Sequence, residues 1–134
     1  MALSIARREK EDIQLLDLEG RITAGEEVAA FRNLIDEEIA ANHRRVVLNM
    51  AGVDYIDSTG LGSLVICFTR LQKAGGTLKL LNLNRRHIEL LVLTKLTTVF
   101  EVFDDEQDAV NSFFPDRKIK RFDILSFVQN RSGR

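Results

Sequence analysis

A chain of 134 residues, 45% hydrophobic and 29% charged, has the size and composition of one globular domain, which excludes extensive disorder. Its net charge of −1 hides a split: residues 1–115 hold 13 Lys and Arg against 18 Asp and Glu, a net of −5, whereas residues 116–134 carry a net of +4. An acidic body excludes direct nucleic-acid binding as the main role, and a single cysteine, Cys67, excludes an internal disulfide and fits a reducing, cytoplasmic setting. No apolar run approaches the roughly 18 residues of a membrane span, and "MALSIARREKED" has neither the apolar core nor the cleavage site of a signal peptide.

In chain order, "LSIARR" and "DIQLLDLEG" are apolar-rich runs separated by the polar "REKE", which predicts a paired β-hairpin ending at Gly20. The period then changes. Val28, Phe31, Leu34, Ile35 and Ile39 share one helical face, with Arg32, Asp36 and Glu37 opposite. "RRVVLNMAG" is a continuous apolar run of strand length, expected to be buried on both faces. From Gly60 the helical period returns through Leu61, Leu64, Val65, Phe68 and Leu71, until "KAGG" stops it. "TLKLLNL" predicts a strand, "NRRHIELLVLTK" a helix capped by Asn84, and "TTVFEVF" a β-branched, aromatic strand. A last helix is expected in "DDEQDAVNSFF", with Asp104 and Gln107 spaced as a capping box. The order ββαβαβαβα predicts an α/β domain. Its mixed, mostly parallel sheet would have four to five strands joined by right-handed crossovers. That domain is expected over residues 1–115, with a basic, apolar extension over 116–134.

The stretch "VDYIDSTGLGSLV", Val53 to Val65, carries the chemistry. A nucleophile elbow would need Gly two residues before the serine, but Ile56 stands there and Asp57 precedes Ser58. The two histidines, His43 and His87, read as surface residues, so no catalytic residue is assigned. "GLGSLV" lacks the third glycine of a dinucleotide fingerprint, and Asp54 with Asp57 lacks a third metal ligand, so neither cofactor nor metal is expected. Ser58 reads instead as an N-cap with an exposed hydroxyl. Gly60 and Gly62 would remove side chains around it, allowing another protein to approach. A phosphate there would meet a helix N-terminus that favours anions.

With "RRVVLNMAG" before it and "DLEGRITAGE" upstream, this stretch resembles the anti-sigma factor antagonist family, built on the STAS domain, over roughly residues 3–114. The resemblance implies a non-enzymatic switch. Its unphosphorylated form would bind an anti-sigma factor that is itself a serine kinase of ATPase fold, releasing the sigma factor. Phosphorylation at the serine matching Ser58 would end that binding, and a PP2C-type phosphatase would restore it. Thr59 is the alternative hydroxyl. By resemblance the partner face comprises Arg21, in the loop after Gly20, with Asp54, Asp57, Ser58, Thr59, Gly60 and Gly62. Asn49 stands where the family usually has an acidic residue at the strand's end. The competing reading is an unphosphorylated scaffold or an accessory part of a transporter or stress-signalling assembly. Residues 116–134 fall outside the resemblance. "RFDILSFV" would be apolar on both faces if extended, so the segment is expected to dock on a protein surface or support self-association.

Overall fold

The computed structural model describes residues 3–23 and 25–120. Strands β1 (Leu3–Lys10) and β2 (Ile13–Ile22) form an antiparallel hairpin closed by two residues. Glu11 and Asp12 both take positive φ, 53° and 69°, as a two-residue hairpin turn with right-handed twist requires. The strands are longer than "LSIARR" and "DIQLLDLEG": most of the polar "REKE" pairs within β1, and β2 runs on through Arg21 and Ile22.

Helix α1 (Glu26–Ala40) crosses to β3 (Arg45–Ile56), α2 (Ser58–Lys73) to β4 (Thr77–Leu81), and α3 (Arg85–Leu93) to β5 (Val102–Phe103); α4 (Glu106–Asn111) follows. The five strands lie in the order β1-β2-β3-β4-β5, with β2 to β5 mutually parallel and β1 antiparallel at the edge. The expected element order and mixed, mostly parallel sheet are therefore present.

Alternation along the strands makes two cores. Leu16, Leu18, Val46, Leu48, Leu78 and Leu80 face α1, α2 and α3, meeting Phe31, Ile35, Leu64, Cys67 and Leu71. Ile13, Leu15, Val47, Leu81 and Phe103 face the other way, under Ala109 and Val110 of α4 and under Phe113, Phe114 and Ile119. The Arg117 guanidinium lies 4.1 Å from the Phe114 ring and bonds Glu11 at 2.6 Å, tying the end of the domain to the hairpin turn. Of the extension expected to dock, 116–134, the residues from 121 onward, "RFDILSFV" included, lie outside the described residues.

Two local expectations change. "TTVFEVF" is a strand only at Val102–Phe103. Lys95 takes φ 61° after α3, and Leu96–Thr98 form a 3₁₀ turn whose Leu96 carbonyl accepts from the N–H groups of Val99 and Phe100. A helix end thus consumes residues whose β-propensity pointed elsewhere. The cap of α4 is Asp105, whose Oδ2 accepts from the Asp108 N–H at 3.0 Å, and not Asp104. Gln107 bonds Asn111 instead, at 2.9 Å.

A candidate partner face at the start of helix α2

Strand β3 runs four residues beyond Gly52 and carries Val53–Ile56 to the carboxyl end of the sheet. Val53 and Ile56 are buried, so Asp54 and Tyr55 are left outside. Arg21 pairs in register with Tyr55 and is exposed; it belongs to β2, not to a loop after Gly20. The strand continues because β3 offers Tyr55 and Ile56 as partners for Arg21 and Ile22, past an irregularity at Gly20.

Asp57, extended at φ −92° and ψ −178°, is the N-cap of α2. Its Oδ1 accepts from the Gly60 N–H at 2.7 Å, and its carbonyl accepts from the Leu61 N–H at 2.9 Å. Ser58 is therefore the first helical residue and not the cap. A carboxylate in that place both satisfies an unpaired N–H and complements the positive helix end. The consequence is that Ser58 keeps an exposed hydroxyl with no hydrogen bond among the described residues, and Thr59 beside it is also exposed.

The two glycines differ. Gly60 is buried, and a Cβ there would stand 1.9 Å from the Ile22 carbonyl oxygen. Its role is close helix-to-strand packing, which corrects the expectation that it clears space for a partner. Gly62 is exposed, with nothing within 4 Å of its would-be Cβ, and leaves the first turns of α2 open.

Across from Ser58 stands α3. The Asn84 Oδ1 accepts from the His87 N–H at 2.8 Å, and the Asn84 N–H donates to His87 Nδ1 at 3.3 Å, a reciprocal capping box. Because Nδ1 accepts, the neutral ring carries its proton on Nε2. His87 is 96% buried rather than a surface residue, since its 4% exposure is that of the core around it. Burial pushes its pKa below the usual histidine value, offset in part by the Val53 backbone. Nε2 nonetheless has no partner of good hydrogen-bond geometry among the described residues.

Between the start of α2 and α3 lies a groove of about 400 Å³. Asp54, Asp57, Ser58, Arg86, His87 and Glu89 supply its polar lining, and Tyr55, Leu90 and Leu93 much of its apolar wall. Tyr55 is 46% and Leu93 79% exposed, an apolar rim beside the serine. The structure thus brings Asp54, Asp57 and Ser58 together, leaves Thr59 and Gly62 on the adjoining exposed turn, and places Arg21 on the neighbouring strand. Leu93, Leu90 and Glu89 were missed as site residues. The excess of apolar residues in "ELLVL" over what one buried face needs was the available signal.

Chemically, the face offers an exposed Ser58 hydroxyl that, among the described residues, no side chain is bonded to as a base. His43 lies at the opposite end of β3, its Nδ1 2.8 Å from the buried carboxylate of Glu38. Cys67 is sealed within the core, where burial pushes the thiol up to about 12. Among the described residues no three His, Cys, Asp or Glu side chains group as a metal site, and no helix is long and apolar enough to cross a membrane. Asn49 lies within β3 rather than at its end. Its Nδ2 donates to Asp17 at 2.8 Å and its Oδ1 accepts from Asn82 at 3.0 Å, so an amide here joins a carboxylate that an acidic residue would repel. Asp17 is held below the usual carboxylate range, first by Arg8 and then by Asn49.

The STAS domain family model matches residues 4–109. The anti-sigma-B factor antagonist of Bacillus subtilis (strain 168) is 46% identical over 50 residues, which cover 37% of this chain and under half, 46%, of that relative. A Thermotoga maritima protein assigned to the anti-sigma factor antagonists superposes with a TM-score of 0.75 at 22% identity, over 81% of this chain and 92% of the other. The phosphorylated form of the Bacillus cell fate determinant SpoIIAA does so with a TM-score of 0.65 at 17% identity, over 82% and 99%. At such identities the superpositions speak for the fold, and with the family match over most of the length they lead to one conclusion: this chain belongs to the STAS domain family.

Proposed function

We propose that this protein is an anti-sigma factor antagonist switched at Ser58. Its unphosphorylated form binds an anti-sigma factor serine kinase of ATPase fold and frees the sigma factor. The partner face is Arg21, Asp54, Asp57, Ser58, Thr59 and Gly62, with Gly60 setting the helix from beneath. The observation that carries this reading is the exposed Ser58 hydroxyl at the first residue of α2, unburdened by capping because Asp57 caps. In the kinase, Ser58 Oγ would attack the γ-phosphorus of ATP, ADP would leave, and the hydroxyl proton would pass to a kinase base. No catalytic group of this chain takes part. A PP2C-type phosphatase would hydrolyse the ester and restore the hydroxyl.

The phosphate adds about −1.5 to −2 charges beside Asp54 and Asp57. The helix end tolerates an anion, a contribution of about 0.3–1 kcal/mol, whereas a closely packed or acidic partner surface would be repelled by several kcal/mol. The switch therefore acts at the interface and leaves the fold intact. Incubation with the kinase and ATP should place one phosphate on Ser58 by peptide mapping; phosphate solely on Thr59, or on neither, overturns the assignment. Ser58→Asp should keep its circular dichroism and lose kinase binding about tenfold or more, equivalent to about 1.4 kcal/mol, whereas Ser58→Ala should bind constitutively. A Ser58→Asp chain that binds as the parent does, or fails only by unfolding, refutes the mechanism.

A further inference from the structure

The groove holding Ser58 is unevenly charged. Among the described residues, Asp54, Asp57 and Glu89 line it with a single cationic side chain, Arg86, alongside the buried His87, whose pKa burial lowers. Arg86 is exposed and makes no hydrogen bond or ion pair among the described residues, whereas most other arginines near carboxylates are engaged: Arg7 with Glu37, Arg8 with Asp17 and Glu106, Arg70 with Asp36, Arg117 with Glu11. Its neighbour Arg85 is exposed too but lies outside the groove lining.

We infer that Arg86 is the in-chain counter-ion of a phosphate on Ser58, so that the groove between α2 and α3 is a cis phosphate-binding site. The inference rests on the proposed modification at Ser58 and adds what receives it. A guanidinium presents a planar fork that matches a phosphate oxygen pair, and it remains charged at any working pH. Its carrier, α3, is held in place by the Asn84–His87 capping box and by buried Ile88 and Leu91, so the fork is offered from a fixed element. Three carboxylates around the serine would by themselves make a dianion costly. One cation on the facing helix offsets part of that cost and draws the phosphate across the groove. Phosphorylation would then do two things with one group: add negative charge to the partner face and close the groove beside Tyr55 and Leu93.

The test uses the full chain with phosphoserine introduced at position 58 during translation, so its outcome is independent of any kinase. The ³¹P resonance of the phosphate is titrated at low ionic strength in the parent, Arg86→Ala and Arg85→Ala. A cation in contact lowers the second phosphate pKa, whose ordinary value is about 6. Arg86→Ala should therefore raise the midpoint by about half a unit or more, Arg85→Ala should match the parent, and the Arg86 Nε–H resonance should move through the same midpoint. An Arg86→Ala titration that overlays the parent, or equal shifts in both variants, overturns the inference. Failure of the kinase assay with correct ³¹P behaviour would instead count against the proposed function alone.

Discussion

The two helix starts that border the groove solve the same problem in opposite ways. At α3 the cap and the third helical residue bind each other reciprocally, and the third residue, His87, is buried. At α2 the cap, Asp57, takes up the Gly60 N–H, and the two residues after it face solvent. The first arrangement spends its polar groups on rigidity. The second leaves Ser58 with no structural duty, so a group can be attached there without dismantling the helix. An available hydroxyl at a helix start thus requires a different residue to cap.

Four probes test that contrast, in decreasing order of effect. Gly60→Ala should be the most damaging, because its methyl would meet the Ile22 carbonyl oxygen at 1.9 Å in a packed site. A loss of about 3 kcal/mol in urea melts is expected. Gly62→Ala, with nothing within 4 Å, should stabilise by about 0.5–1 kcal/mol through helix propensity. Equal effects would erase the distinction between a buried and an open glycine. Next, Asn84→Ala removes half of the reciprocal box and should cost about 1–2 kcal/mol, against about 1 kcal/mol for Asp57→Ala. Melts showing Asp57→Ala to be neutral would mean that Ser58 can take over the cap.

The third probe is acid. The folded-state pKa of His87 is depressed by burial, so below the unfolded value of about 6.5 the unfolded chain binds a proton that the native chain refuses. Stability from this group is present above that pH and is lost as pH falls through the window beneath it. His87→Phe should flatten the stability profile below about pH 6.5 relative to the parent, even if its midpoint is lower. A parent profile already flat there refutes the role of burial. The smallest effect belongs to Ser58→Ala, which should melt within about 0.5 kcal/mol of the parent because the side chain is exposed and makes no bond among the described residues.

Much of this was legible in the amino-acid order. The helical faces of α1 and α2 follow their apolar spacing, and the hydrophobic run before Asn49 is a strand buried on both faces. The stretch around Ser58 could be read as a strand leading into a helix with an exposed hydroxyl. What failed was assignment among equivalent neighbours. Asp57 and Ser58 are both good caps, and so are Asp104 and Asp105; the choice depends on where the packed helix meets the sheet, which is a tertiary fact. Gly60 and Gly62 look alike in sequence, and only the distance to Ile22 separates them. His87 looked exposed because it follows two arginines, yet helical rotation turns it inward toward Val53. The groove itself joins residues thirty apart along the chain and has no local signature.

The sealed thiol of Cys67 has a practical consequence. With its pKa pushed up to about 12 and its side chain wholly buried, the chain's one cysteine stays protonated and out of reach of alkylating dyes at neutral pH. A cysteine introduced on the open turn, for instance by Gly62→Cys, would be the sole reactive thiol of the native molecule. A fluorophore placed there would report dimming or brightening as another protein covers the face, with no background from the interior.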